Sequence, residues 1–319
     1  MYYIGIDLGG TNIAAGLVTL DGTIIYKESL PTKKERDTSE VVADMARLAK
    51  IVTEKGGAKL SDIVAVGIGC PGTVDNESGE VVFSNNIVMH HYPIVAEFKK
   101  HLDLPVFLEN DANAAALGEY MVYGEGSDSF VFITLGTGVG GGIIIDGKVF
   151  KGFNGAGAEL GHQTLVYGGK PCTCGKRGCL EAYASVTALI EQTKEAIAAH
   201  PESMMAEWKE KKGKVSGRCA FECAALGDEV AIAVRDKYIE YVAEGICSTV
   251  NMLQPEILAI GGGISREGET LLDPIKKYLE ANDYNKYMPR TDVRIARLFG
   301  DAGIVGAAGA AMNMLRNDK

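Results

Sequence analysis

The first thirty residues alternate apolar runs with short polar breaks. Tyr2–Leu8 (YYIGIDL) reads as a strand running into the turn GGTN, Ile13–Leu20 as a second strand and Thr23–Leu30 as a third. Asp21-Gly22 is the hairpin signal between the last two. Ser39–Lys55 has helical apolar spacing and stops at Gly56-Gly57. Ile63–Cys70 (IVAVGIGC) is apolar almost throughout, as expected of a strand covered on both faces. LPVFLEND is a short strand leading into a helix over 112–123. Further on, Leu180–His200 predicts one helix, and residues 201–218 a polar helical insertion or surface excursion. Asp228–Leu253 predicts a long helix ended by Gln254-Pro255. Glu256–Ser265 is a strand into a triple-glycine turn, and Gly303–Leu315 a small-residue helix able to pack closely.

The opening pattern recurs. Phe130–Phe150 (FVFITLGTGVGGGIIIDGKVF) repeats strand, Gly/Thr turn, strand, DG turn, strand, with Ile6, Leu8 and Gly9 falling on Ile133, Leu135 and Gly136. Two such halves imply a duplicated α/β fold whose Gly/Thr turns face each other across a cleft.

Composition narrows the function. The 319 residues include 40 glycines, about one in eight against an ordinary ~7%, and they cluster in a few turns. The net charge of −10 and pI near 5.1 argue against non-specific binding to nucleic acid or anionic membrane. The start has no basic targeting segment, and no apolar run reaches the ~18 residues of a membrane span. Seven cysteines in such a chain read as reduced, so the expected compartment is the cytoplasm, and clustered ones suggest metal.

Gly136–Gly141 (GTGVGG) fits GxGxxG, yet a dinucleotide site needs a helix next, and a strand follows. No Walker A loop occurs. Two readings of the turns remain. Glycine can simply supply positive φ at hairpin tips. Alternatively, tip N–H groups and threonine hydroxyls wrap a polyphosphate. Two matched turns and Gly261-Gly262-Gly263 favour the second. The candidates are Gly9, Gly10, Thr11, Asn12, Gly136, Thr137, Gly138, Gly140, Gly141 and the three glycines at 261–263. Asp7 ends an apolar strand, where a charge is costly without a partner. It either faces a nucleotide-borne Mg²⁺ through water or caps the GGTN turn.

IDLGGTN, GIGCPG, LENDANAAALGE, LGTGVGGG, GAELGH, CTCGKRGCLE and LAIGGGIS, in that order over nearly the whole chain, resemble the ROK family of sugar kinases. The resemblance implies an actin-like ATPase (ribonuclease H-like) fold: two α/β lobes with an active-site cleft between them. Residues 1–115 plus 303–319 are the expected smaller lobe. Residues 116–302 are the larger lobe, carrying the cysteine element and the adenosine-binding glycine turn. By the same resemblance Asp111 takes the proton of a sugar hydroxyl, although its position also fits the N-cap of the 112–123 helix. Asn110, Glu159, His162 and Glu181 are the implied sugar contacts, with Gly72 allowing close backbone approach and Asn86 a further candidate. Glu159 and Glu181 read alone are also compatible with solvated surface.

His162, Cys172, Cys174 and Cys179 have the spacing H-x9-C-x-C-x4-C, which suits a closed Cys₃His zinc site with a structural role. Gly175 and Gly178 permit the tight backbone, and Lys176 and Arg177 offset sulfur charge. One ring nitrogen of His162 would bind zinc while the other faces the sugar. Cys70, Cys219, Cys223 and Cys247 read as packing residues. The expected activity is ATP- and Mg²⁺-dependent phosphorylation of the primary hydroxyl of glucose by a dimer or tetramer. The alternatives are a kinase for fructose, N-acetylmannosamine or N-acetylglucosamine, or a sugar-sensing regulator, which would carry an additional DNA-binding domain ahead of the first strand.

Overall fold

A computed structural model describes residues 1–84, 87–124 and 126–317. The chain divides into two compact units. The first comprises Met1–Phe132, Gly142–Ala158 and the chain from Arg297 onward; the second comprises Ile133–Gly141 and Glu159–Ala296. The expected breaks are at 115/116 and 302/303; in these compact units the whole helical span 111–123 and the chain from Arg297 fall in the first.

The first unit opens with β1 (Tyr2–Leu8), β2 (Asn12–Val18) and β3 (Ile24–Pro31), an antiparallel meander. Helix α1 (Thr38–Lys55) is capped by Asp37, whose carboxylate accepts the Ser39 N–H at 2.8 Å. Next come β4 (Ile63–Cys70), and a small sheet of β5 (Thr73–Asp75), β6 (Glu80–Ser84) and β7 (Met89–Tyr92) that the hydropathy pattern does not announce. Helix α2 (Ile94–Lys99), β8 (Val106–Asn110) and α3 (Asp111–Tyr123) follow. The main sheet has the order β3-β2-β1-β4-β8, and β4 runs parallel to both neighbours.

The continuous apolar run of β4 has its reason here. Val66, Ile68 and Cys70 join the core under α1, while Ala65 joins the cluster around Ile304 and Ala308 on the other face.

The repeat is present in three dimensions. β9 (Ser129–Leu135) has the same burial pattern as β1. It leads through a Gly/Thr turn to β10 (Val139–Ile145) and β11 (Lys148–Val149). The turn joining the last two places Asp146 at φ 51° and Gly147 at φ 70°, the pair of left-handed residues that a tight hairpin of type I′ uses.

The expected helix over 180–200 is two: α4 (Glu181–Ala184) and α5 (Val186–Ala199). Ser185 breaks the run by capping the second, accepting the Ala188 N–H at 3.0 Å. The polar excursion holds α6 (Met204–Lys212) and is followed by α7 (Arg218–Ala225). Helix α8 (Glu229–Leu253) ends on Gln254 in the left-handed region, just before Pro255. β12 (Ile257–Gly261), α9 (Glu269–Asn282) and β13 (Asp292–Ile295) complete the second unit. The second sheet, β11-β10-β9-β12-β13, repeats the first sheet's order of third, second, first, fourth and fifth strand.

The final helix, α10 (Ala302–Asn317), returns to the first unit. Gly16, Gly5 and Gly67 lie side by side across β2, β1 and β4. A Cβ on Gly5 would strike the Ile304 carbonyl, and one on Gly67 the Ala307 carbonyl. The sheet therefore offers a bare strip on which α10 lies at backbone distance. Gly306 meets the Ala114 carbonyl of α3, and Gly118 of α3 meets the Ala302 carbonyl. This close packing holds α3 in the first unit, which moves the boundary past residue 115. No helix among the described residues is long and apolar enough to cross a membrane.

Candidate functional site

In the first unit the carboxyl ends of the parallel strands converge. Asp7 of β1 pairs with Gly69 of β4, which pairs with Glu109 of β8. Such strand ends are where open α/β sheets bind ligands. Gly69 lies close under α3: a Cβ there would come within 3.3 Å of the Ala114 Cβ and 3.9 Å of the Asp111 Cα. Burial, and then the charge of Asp111, push Asp7 up from 3.8 to about 6. The Cys70 thiol is pushed far up by burial and then by Asp111, Asp7 and Glu109, so three carboxylates share this strand-end region.

The cap of α3 is Asn110 rather than Asp111. Asn110 Oδ1 accepts the N–H groups of Ala112 at 3.0 Å and Asn113 at 3.1 Å, and its Nδ2 donates to the Gly72 carbonyl at 3.0 Å. Asp111 is the first helical residue, and its Oδ1 takes the Ala112 N–H at 2.9 Å. A second good capping residue one position upstream thus removes the need for Asp111 to cap. Gly72 is fixed by its φ of 89° and by the Phe83 carbonyl, which a side chain would strike. Asn86 lies outside the described residues.

The Gly/Thr turns do not need glycine for backbone conformation. None of Gly9, Gly10, Gly136, Gly138, Gly140 or Gly141 has a left-handed φ. At Gly10, Gly136 and Gly263 an added Cβ would meet nothing within 4 Å. These three are explained neither by φ nor by packing inside the protein, which leaves open backbone for a ligand to approach. Gly262 is different: its φ is 87°, and it lies against the Leu135 backbone.

The turns are braced from outside. Buried Thr32 donates to the Gly9 carbonyl at 2.6 Å, and its N–H reaches the Thr11 carbonyl at 2.9 Å. Thr11 and Asn12 are exposed. In the second unit the Val186 N–H reaches the Gly136 carbonyl at 2.8 Å, and Thr187 Oγ1 donates to the Thr137 carbonyl at 2.7 Å. Glu181 Oε2 accepts the Val139 N–H at 3.0 Å.

Glu181 also serves the cysteine loop. Its Oε1 accepts from Thr173 Oγ1 at 3.2 Å and lies 3.6 Å from Cys172 Sγ. The ligand atoms of His162, Cys172, Cys174 and Cys179 all lie within 4.8 Å of one another. A tetrahedral ion with bonds of ~2.3 Å to sulfur and ~2.0 Å to nitrogen places neighbouring ligand atoms about 3.5–3.8 Å apart. Cys174 and Cys179 Sγ are 3.7 Å apart, and Cys172 Sγ is 3.6 Å from His162 Nδ1. The donor set therefore fits a tetrahedral metal, with Nδ1 turned inward and Nε2 free. Gly175 and Gly178, at φ 88° and 82°, make the turns between thiols. Lys176 Nζ donates to the His162 carbonyl at 3.0 Å. Glu159 is exposed, and its carbonyl accepts the His162 N–H at 3.0 Å. The other four cysteines are buried.

Sequence reasoning missed Thr32, Thr173, Thr187, Glu109 and Lys151. Glu109 carried the signal that marked Asp7, a charge closing an apolar strand. The threonines act through contacts distant in sequence.

A twice-repeated sheet with open glycine turns, and three acids near parallel strand ends, define a duplicated α/β protein. The ROK family profile matches residues 3–313, and the chain belongs to that family. It is 38% identical to a glucokinase of Halalkalibacterium halodurans over 96% of this chain and 93% of that one. A glucokinase of Thermotoga maritima is 38% identical over 96% and 95%. A ROK family glucokinase from Streptomyces griseus, solved with glucose and AMPPNP, superposes with a TM-score of 0.85 at 37% identity, covering 98% of this chain and all of that one. The fold is the actin-like ATPase fold expected from the motifs.

Proposed function

We propose that this chain is an ATP-dependent hexose kinase that phosphorylates the primary hydroxyl of glucose. The observation carrying the reading is Asp111, relieved of capping by Asn110 and set beside Asp7 at the strand ends. Glucokinase relatives over nearly the full chain support the substrate.

In this reading Asp111 accepts the hydroxyl proton as the sugar oxygen bonds to the γ-phosphorus and ADP departs. An ordinary carboxylate suffices, because in a loose transition state the proton leaves late and orientation matters most. Helix α3 aims its N-terminal dipole at that carboxylate. Asn110, Glu159, His162 and Glu181 hold ring hydroxyls, and Gly72 borders them. Asn110 retains one amide hydrogen for this, since Gly72 takes the other. Open backbone at Gly10, Gly136 and Gly263 receives the polyphosphate and adenosine portions of ATP, with the remaining glycines of those turns, Thr11, Asn12 and Thr137 around them.

Mg²⁺ carried by the nucleotide neutralises phosphate charge when bound, and Asp7 is the residue to face it. A cation also favours the ionised form of an acid that burial and Asp111 hold up. Zn²⁺ fits His162, Cys172, Cys174 and Cys179 as a structural ion that orders the loop from Glu159 to Glu181. The setting is the cytoplasm, and the working form a homo-oligomer.

A panel of hexoses and amino sugars with ATP, read as ADP release, tests the proposal. Glucose should give the highest kcat/KM. Preference for fructose or an N-acetylated sugar would overturn the substrate, and no turnover with any sugar would overturn the kinase.

A further inference from the structure

Glu109 is 3% exposed, yet it carries a carboxylate one residue before Asn110. A buried charge persists only if its lone pairs find partners. Glu109 Oε1 accepts the Asn110 N–H at 3.1 Å, and Oε2 pairs with Lys151 Nζ at 2.7 Å. Lys151 follows β11 and opens the segment KGFNGAGA, residues 151–158, within the same unit.

That segment has little to hold it in shape. Three of its eight residues are glycine, and Gly152, Gly155 and Ala158 have positive φ. Phe153 is fully exposed. Two hydrogen bonds close the segment on itself: Gly157 N–H to the Lys151 carbonyl at 2.9 Å, and Ala156 N–H to Asn154 Oδ1 at 3.2 Å. Neither fastens it to the sheet. The Lys151 ion pair does, and its anchor lies on the strand end bearing Asn110 and Asp111. The chain passes from Ala158 directly into Glu159.

We propose that Lys151 and Glu109 form a positioning pair for the sugar site: Lys151 fastens the 151–158 segment, and the ion pair keeps the Glu109 side chain in place beside Asn110–Asp111. The sugar-site part rests on the kinase reading above; the anchor itself does not. Lys151 touches neither a reacting atom nor, in this account, ATP. Its loss should appear in the sugar KM through the loosened segment, and in kcat through an unpaired buried carboxylate next to the base.

The test compares Lys151→Met, Lys151→Arg and the double variant Glu109→Gln/Lys151→Met with the parent, by steady-state kinetics and by hydrogen exchange of the 151–158 backbone. Lys151→Met should raise the glucose KM about tenfold and lower kcat about tenfold, with the ATP KM within about twofold. Lys151→Arg should stay within about threefold of the parent, because it keeps the charge. The double variant should regain kcat and keep the high glucose KM, because it removes the unpaired charge without restoring the anchor. Exchange over 151–158 should quicken in both variants lacking Lys151. Parent-like exchange and glucose KM in Lys151→Met would overturn the proposal, as would equal losses toward glucose and ATP. If Lys151→Met does not fold, exchange in the double variant decides: fast exchange upholds the anchor and parent-like exchange removes it. A parent without hexose kinase activity would sink the kinase reading, while exchange would still judge the anchor.

Discussion

Replacing Asp111 separates chemistry from folding unusually well. Asp111→Asn keeps the shape and can still accept the Ala112 N–H, and α3 keeps its cap on Asn110. The charge removed has two opposing structural effects. A negative charge leaves a helix N-terminus, a loss of about 0.3–1 kcal/mol. Asp7 is relieved of its neighbour. Asp7 titrates near 6 in the folded protein instead of 3.8, so its contribution to stability is full below about 3.8 and lost as the pH rises through 6. The whole shift corresponds to about 3 kcal/mol at pH 7, and burial, the larger cause, accounts for most of it. Relief from Asp111, the smaller cause, opposes the dipole loss, so the net change in stability should stay within about 1 kcal/mol. Turnover should nevertheless fall by about 10²–10⁴, the usual cost of losing a general base. Asp111→Ala should likewise unfold within about 1 kcal/mol of the parent, whereas Asn110→Ala should lose about 1–2 kcal/mol with its cap. Urea titrations at pH 7.5, paired with coupled ADP assays, measure both quantities. A folded Asp111→Asn protein with near-parent kcat would refute the base. A large stability loss in Asp111→Ala beside a silent Asn110→Ala would refute the capping argument.

Cys174→Ser should lower bound zinc from about one per chain and weaken glucose binding much more than nucleotide binding, measured by elemental analysis and calorimetry. Unchanged glucose affinity would make the metal a bystander. Gly306→Ala should destabilise the protein by more than about 2 kcal/mol, because its methyl group would enter the Ala114 carbonyl and force α3 and α10 apart; an unshifted denaturation midpoint would contradict that packing.

What the sequence disclosed and what it withheld divide along a physical line. Strand–turn–strand patterning marked both hairpins, and the unbroken apolar run of Ile63–Cys70 marked a strand covered twice. The spacing from His162 to Cys179 anticipated four donors that the fold brings together. Elements of three to five residues, such as β5 to β7, are too short to establish a period. Asn110 and Asp111 are both good caps, so one residue of register decided the cap, and only backbone geometry reveals register. Glycine letters are ambiguous in the same way: Gly72 serves φ, Gly67 serves a helix, and Gly10 serves neither. The pairing of Glu109 with Lys151 spans 42 positions and leaves no local trace.

Glu181 has a consequence for the way this protein can change. One carboxylate oxygen holds the Val139 N–H of a glycine turn, and the other holds Thr173 in the cysteine loop. The two elements are therefore not separate modules. A cysteine loop grafted from another scaffold would have to bring an acid of the same reach, or leave Val139 unsupported. Mutational drift in either element would be filtered by the other, so laboratory evolution of the glycine turn should accumulate compensating changes around Thr173 before it tolerates any change at Glu181.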